Sequence, residues 1–300
     1  MFDVLGLYAS YALTITFGKA AMNYAQPLFF VGIRLLISAP FLLGYVYFFK
    51  RDKFSLKKEH INLFVQSTVM LYLGYALGFW ALKNMNSSKN ALFFTLTPFI
   101  TALLVYLLYG EKLTKKQLLG LMIGLLGAVP ALLIRSGEPI SSIFLLFGLP
   151  EIAAIVAIAT GPYRWILANT LIKQHEYIPF FINGICMMFC CVPILLTSLL
   201  LNFDNAPLYT QLAPFIGYVL FLSFISDFIA YNWYMILLKK YTTTFLAFAG
   251  FTVPLYVAIY SWLWLGEAVS WPFFVSFILI FIGLFIFYQD ELNRSMVKKS

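Results

Sequence analysis

Charge is what this sequence has least of. Only 11% of its 300 residues are Asp, Glu, Lys or Arg, where a soluble domain carries about a quarter. That is too little polar surface to cover a globule in water. Histidine and cysteine are scarce too. The two histidines, His60 and His175, stand among charged neighbours between apolar runs and read as solvated loop residues. The three cysteines, Cys186, Cys190 and Cys191, share one apolar segment, which excludes a disulfide framework spread over loops. With no histidine or carboxylate close by in sequence, they read as small packing residues of a helix rather than as a soft-metal site. There is no His-Glu-x-x-His, no nucleophile elbow and no phosphate-binding glycine loop. The chain has no catalytic set of an enzyme, and neither a metal nor a cofactor is expected.

What fills the space is hydrocarbon. Hydrophobic residues make up 62% of the chain and the mean hydropathy is +0.88. Apolar stretches of about 20 residues, the length that crosses a bilayer core, recur from end to end. We place ten spans near 4–22, 27–49, 61–82, 90–109, 116–134, 149–172, 178–201, 213–238, 243–265 and 271–289. The opening "MFDVLGLYAS" has neither a basic n-region nor a small-residue cleavage site, so the first apolar segment is expected to stay as a helix. A net charge of +8 could suit a nucleic acid, but the basic residues sit in short loops between spans. Fourteen of the twenty Lys and Arg fall on the side of the termini and three, Lys83, Lys89 and Arg135, on the other. That bias is the signature of membrane topology; it predicts cytoplasmic termini in the inner membrane and no nucleic-acid partner.

The chain also repeats itself. "TPFITALLVYLLYGEKLT" (97–114) matches "VPLYVAIYSWLWLGEAVS" (253–270) at an offset of 156. The same offset pairs Ser67 with Ser223, Tyr75 with Tyr231, Gly110 with Gly266, Glu111 with Glu267 and Gly127 with Gly283. Two five-span halves, 1–138 and 139–300, follow. Five is odd, so the second is inserted inverted relative to the first, an arrangement of many secondary transporters. The fold class is therefore an all-α integral membrane protein of ten transmembrane helices. Gly110 and Gly266 suit helix C-termini, Thr114 with Gln117 reads as a capping box, and Glu111 and Glu267 brace corners between helices. Pro98 and Pro254 fall in mid-span and are expected to kink their helices, either as hinges or to shape a cavity.

A proline followed by Gly-Glu and a glycine-bearing last helix, in both halves of a ten-span chain, resembles the EamA-type transporters of the drug/metabolite transporter superfamily. Lys19, Pro27 and Arg34 resemble residues common in that family's first two helices. Tyr11-Ala12 stands where many members have Trp-Gly, and the second half has no arginine matching Arg34. The resemblance implies cytoplasmic termini, a central cavity open alternately to each side, and export or exchange of small metabolites. Members move amino acids, drugs, nucleotide-like compounds and, in some intracellular bacteria, S-adenosylmethionine.

Charges inside spans mark the site. Asp227 lies mid-span, where a carboxylate costs about 2.5–3.5 kcal/mol on insertion scales and its short stem cannot snorkel. Ser223, Asp227 and Tyr231 share a helix face; the mirrored face reads Ser67, Leu71, Tyr75, so the acid belongs to one copy only. Arg164 is its expected partner, just after Gly161-Pro162, which should interrupt the sixth span. The pair is either structural or in contact with cargo. Lys19 can snorkel or serve the site, and Arg34 lies deeper. Glu151 complements a helix start. Tyr75, Tyr231 and Trp233 adjoin the polar stripe and could offer aromatic faces to a cationic or planar molecule. An amino-acid-like zwitterion or S-adenosylmethionine would suit acid, base and aromatic wall together. Exchange and proton coupling both stay open, as does a non-transporting scaffold. "GYALG" (74–78) and "GLMIG" (120–124) allow close helix packing, within the chain or in a homodimer.

Overall fold

A computed structural model describes residues 2–84, 93–136, 148–201, 207–265 and 271–297. The chain is all-helical, as a bilayer requires of backbone with no water to bond to. Among the described residues, helices occur at each of the ten expected positions. They are α1 (Phe2–Ala21), α2 (Pro27–Phe49), α3 (Ile61–Asn84), α4 (Thr97–Tyr109), α5 (Lys115–Ser136), α6 (Leu149–Lys173) and α7 (Pro179–Leu200). Three more follow: α8 (Leu212–Leu222, continued through Ser223–Ala230 to Tyr231–Leu237), α9 (Thr243–Ala249 and Val253–Leu265) and α10 (Trp271–Val297). Six of these stretches are long and apolar enough to cross a membrane, and α4 and 274–290 are shorter apolar helices.

Local chemistry sets the ends. Prolines open α2, α4, α6 and α7, where the missing N–H has no intrahelical partner to lose. Gly110 closes α4 in the left-handed region at φ 70°, as expected of that glycine. The capping box before α5 forms: Thr114 N–H donates to Gln117 Oε1 and Gln117 N–H donates to Thr114 Oγ1, both at 3.0 Å. Glu151 accepts the Gly148 N–H at 2.7 Å. Glu111 is exposed beside Gly110; Gly266 and Glu267 lie outside the described residues.

Pro98 and Pro254 each stand in the first turn of a regular helix, just after an irregular stretch, the turn at 95–96 and the 3-10 turn Gly250–Thr252. A proline has no N–H for the carbonyl four residues back, so regular bonding lapses in the turn before it. One expectation is corrected. Gly161-Pro162 does not interrupt its span, and α6 runs unbroken from Leu149 to Lys173 with Pro162 inside. Most of that helix is buried against neighbours, and packing outweighs the lost hydrogen bond.

Helices cross in repeating pairs: α2 on α7, α3 on α6, α5 on α10 and α1 on α8 and α9. Small residues make the closest crossings. A Cβ on Gly32 would strike Leu195, and one on Gly184 would strike Leu43; the two contacts are the same contact shifted by 152 residues. Likewise Gly127 meets Ile280 while Gly283 meets Gly124, at the 156-residue offset. Gly74 of "GYALG" lies against Thr160, and Gly120 and Gly124 of "GLMIG" against Gly283 and Phe248. Both glycine pairs thus serve packing within one chain.

Loops meet in two sets. The loop before α3 joins the loop before α7: Tyr177 Oη lies 3.0 Å from His60 Nδ1 and accepts the Lys57 N–H at 3.1 Å. Lys240 Nζ lies 3.8 Å from Asp3, and Thr114 Oγ1 donates to Asp290 at 2.8 Å. In the other set, Gln26 N–H donates to the Leu208 carbonyl at 3.0 Å and Thr210 N–H to that of Tyr24 at 2.9 Å.

His60 and His175 are not separate solvated residues. His60 is buried and its ring stacks on that of His175 with centroids 3.8 Å apart. Burial first, then His60 and Lys57, hold His175 below the usual histidine value, while Glu59 opposes them. The folded chain therefore favours neutral His175, and stability falls as pH drops through the ordinary value near 6.5, levelling off below the folded one. The thermal midpoint in detergent should be lower at pH 5.5 than at pH 7.5, and His175→Gln should flatten that dependence. An equally steep pH profile in the variant would contradict this account.

Candidate functional site

The middle of the bundle holds the polar residues that lipid cannot. Asp227 is wholly buried, and its Oδ2 lies 3.1 Å from Arg34 Nε. Ser38 Oγ donates to the same oxygen at 2.7 Å. Arg34 Nη2 donates to Tyr75 Oη at 3.0 Å, and Tyr75 and Tyr231 share a hydrogen bond of 3.0 Å between their hydroxyls. Ser223 Oγ donates to the Arg34 carbonyl at 3.4 Å. The expected Arg164–Asp227 pair is thus replaced by Arg34–Asp227. Arg34 reaches across because Ser38, one turn further along α2, draws the carboxylate to that face.

Arg164 sits in a second knot. Its Nη2 donates to Asn183 Oδ1 at 2.8 Å, Asn183 Nδ2 donates to Asn232 Oδ1 at 3.0 Å, and Asn232 Nδ2 donates to the carbonyls of Asp227 and Phe228 at 2.9 Å. Those carbonyls need a partner for a structural reason. Residues 223–230 form a π-helix, whose longer hydrogen-bond span displaces carbonyls from ordinary partners and which concentrates at functional sites. Asn232 restores what the π segment loses, and through it the two arginines are linked across α2, α6, α7 and α8.

Aromatic rings enclose the knots. The Arg164 guanidinium lies 4.4 Å from the centroid of Trp165 and 5.3 Å from that of Tyr231. Trp165 stacks on Tyr234 at 4.2 Å, and Tyr11 contacts Tyr8, Tyr231 and Tyr234. Tyr8 Oη donates to the Leu246 carbonyl. Among the sequence candidates, Asp227, Arg34, Ser223, Tyr75, Tyr231 and Arg164 come together. Lys19 does not: it is exposed in the last turn of α1. Trp233 is turned to α1, its ring filling the space beside Gly6. Ser38, Asn183, Asn232 and Trp165 were not picked out in the sequence, although an asparagine inside so apolar a run as "PFFINGICMMF" is a signal of the same kind as Asp227. The cysteines are free and buried, and no group that could hold a metal occurs among the described residues.

An all-helical membrane bundle with paired and unpaired charges at its centre is the build of a polytopic carrier. The profile of the EamA-like transporter family matches residues 2–133 and 140–289. The chain belongs to that family, whose members are transporters and not enzymes. It is 31% identical over 298 residues to a S-adenosylmethionine/S-adenosylhomocysteine transporter of Chlamydia muridarum, covering 97% of this chain and 91% of the relative. A protein of the same description from Chlamydia trachomatis serovar L2 is 30% identical, covering 97% and 88%. The uncharacterized transporter YoaV of Bacillus subtilis is 25% identical, covering 95% of both. A solved crystal structure superposes with a TM-score of 0.74 at 18% identity, covering 97% of this chain and 96% of that one.

The ion pair makes a stability statement. Asp227→Asn leaves Arg34 buried without its counter-charge and should cost about 3–5 kcal/mol, while the double change with Arg34→Gln should recover much of it. Chemical denaturation in detergent gives the double-mutant cycle. Additive losses would show that the two side chains do not act as a pair.

Proposed function

We propose that this protein exchanges S-adenosylmethionine for S-adenosylhomocysteine, or moves a closely similar amino-acid-bearing nucleoside, across the cytoplasmic membrane by alternating access. The observation that carries the reading is the near full-length likeness to relatives named for those two molecules, joined to a centre that suits them. Asp227 Oδ1 is buried without a hydrogen-bond partner and can accept an ammonium or face a sulfonium. Trp165, Tyr231, Tyr11 and Tyr75 offer flat faces to an adenine. Arg34 and Ser223 frame the acid, and the breaks before Pro98 and Pro254 are the points about which α4 and α9 can pivot. Labelled S-adenosylmethionine should accumulate in liposomes holding the protein when they are preloaded with S-adenosylhomocysteine. Absence of that counterflow, with protein correctly inserted, would remove the substrate assignment.

The frame we propose is two inverted five-helix halves, 1–138 and 139–300, with ten crossings and cytoplasmic termini. Two observations support it. Repeat-related glycines make repeat-related contacts, and Tyr75 and Tyr231, 156 residues apart, touch each other, as residues on a two-fold axis do. The two sets of loop contacts also separate basic loops from the others. Cysteine placed at Lys112 should react with an impermeant maleimide only after the membrane is opened, and cysteine at Tyr209 in intact cells. The opposite pattern would invert the topology.

A further inference from the structure

Two arginines are buried at the centre, and only one is neutralised. Arg34, 5% exposed, has Asp227. Arg164, also 5% exposed, makes no ion pair among the described residues. Its Nε has no hydrogen-bond partner, and Nη2 donates to the neutral amide oxygen of Asn183. Trp165 and Tyr231 cover it without cancelling its charge. A buried cation without a counter-charge is costly, and an arginine cannot shed its proton to escape. Structural arginines in membranes find a carboxylate or several carbonyls. Here the guanidinium lies 4.4 and 5.3 Å from two ring centroids and its Nε is left without a partner, a donor that, with a neighbouring N–H of the fork, suits a planar anion.

We infer that Arg164 is the receptor for a carboxylate carried by the transported molecule, so that cargo lacking that group is refused. The inference rests on the reading of this centre as the transport site and deepens it. Arg34 is excluded from the role by Asp227 and Lys19 by its exposure. Seating the carboxylate also draws on the Asn183–Asn232 chain that holds the π segment of α8, which ties occupancy of the site to a helix whose hydrogen bonding is irregular at mid-bundle.

The test uses the full-length protein in detergent and pairs of compounds that differ by the carboxylate alone: S-adenosylmethionine with decarboxylated S-adenosylmethionine, and methionine with 3-methylthiopropylamine. Affinities are read from the shift of the thermal midpoint with concentration. The wild type should prefer the acid of a pair by about ten-fold or more, the worth of a charge-assisted hydrogen bond. Arg164→Gln should bring the ratio near one. Arg164→Lys, which keeps the charge and loses the fork, should lie between and stands in if the glutamine variant does not fold. A general structural role would lower all affinities and leave the ratio alone. Equal affinities for acid and amine in the wild type, or full preference in both variants, overturn the inference. Should the methionine pair discriminate while neither adenosyl compound binds, the carboxylate receptor stands and the adenosyl substrate falls.

Discussion

Asp227 and Arg34 fix the centre of this protein, because leaving either there without the other is costly. A carboxylate and a guanidinium within a bundle that faces lipid lose their water, and their mutual attraction returns enough only when geometry is close and the remaining oxygens and nitrogens find donors and acceptors. Ser38 and Tyr75 supply some of those partners, so four side chains on α2, α3 and α8 are ordered by one charge. The rest of the core is Leu, Ile, Val, Phe and Met packed around them. Apolar packing holds helices together in lipid without choosing their register; a buried pair spanning α2 and α8 does choose it.

The duplicated frame and the unduplicated chemistry can be separated residue by residue. At the 152-residue offset that relates α2 to α7, Arg34 falls on Cys186, Ser38 on Cys190 and Val31 on Asn183. At 156, Asp227 falls on Leu71 and Asn232 on Ala76. The ion pair therefore mirrors onto Cys186 and Leu71, and Ser38 onto Cys190, all buried. Two of the three clustered cysteines thus stand as small side chains where the other half keeps an arginine and a serine. Glycines and the Tyr75–Tyr231 contact are shared by both halves, since close crossing and the axis are demands of the frame. The charges are not shared: Arg34 and Asp227 fall on Cys186 and Leu71.

That division also decides what could be read in the sequence. Hydrophobic length marked the helices, and the proline and Gly-Glu motifs the family, because each is written in local sequence. The second repeat match, Pro27 with Pro179 and Gly32 with Gly184, escaped because a four-residue shift breaks the ungapped register. Asp227, Arg34, Arg164 and Tyr231 stood out as polar groups at apolar depth. Their pairing did not, for it depends on which helices cross, and α2 brings Arg34 to the acid where α6 was expected to bring Arg164. The π segment was invisible: "SFISDFIA" has ordinary helical composition, and its irregular bonding is set by Asn232 and Asn183 on two helices. His60 and His175 were read as separate loop residues because sequence does not say which loops touch.

A centre with one cancelled and one uncancelled arginine is a poor structural core and a reasonable binding site. If stability alone had shaped it, replacing Arg164 by an apolar residue of similar volume would remove a buried charge at little cost. Keeping the charge makes sense when something arrives to share it. The resting cost then becomes part of the selectivity, because a molecule without an anionic group cannot relieve it and gains nothing from the aromatic walls that a competing apolar compound would not also gain. On the proposed reading, Asp227 is not the cargo's first contact. Arg34 already pairs with it, so a cation must compete with a resident partner, whereas an anion meets an arginine with no carboxylate beside it among the described residues. On that reading recognition starts from the carboxylate and is completed by the rings.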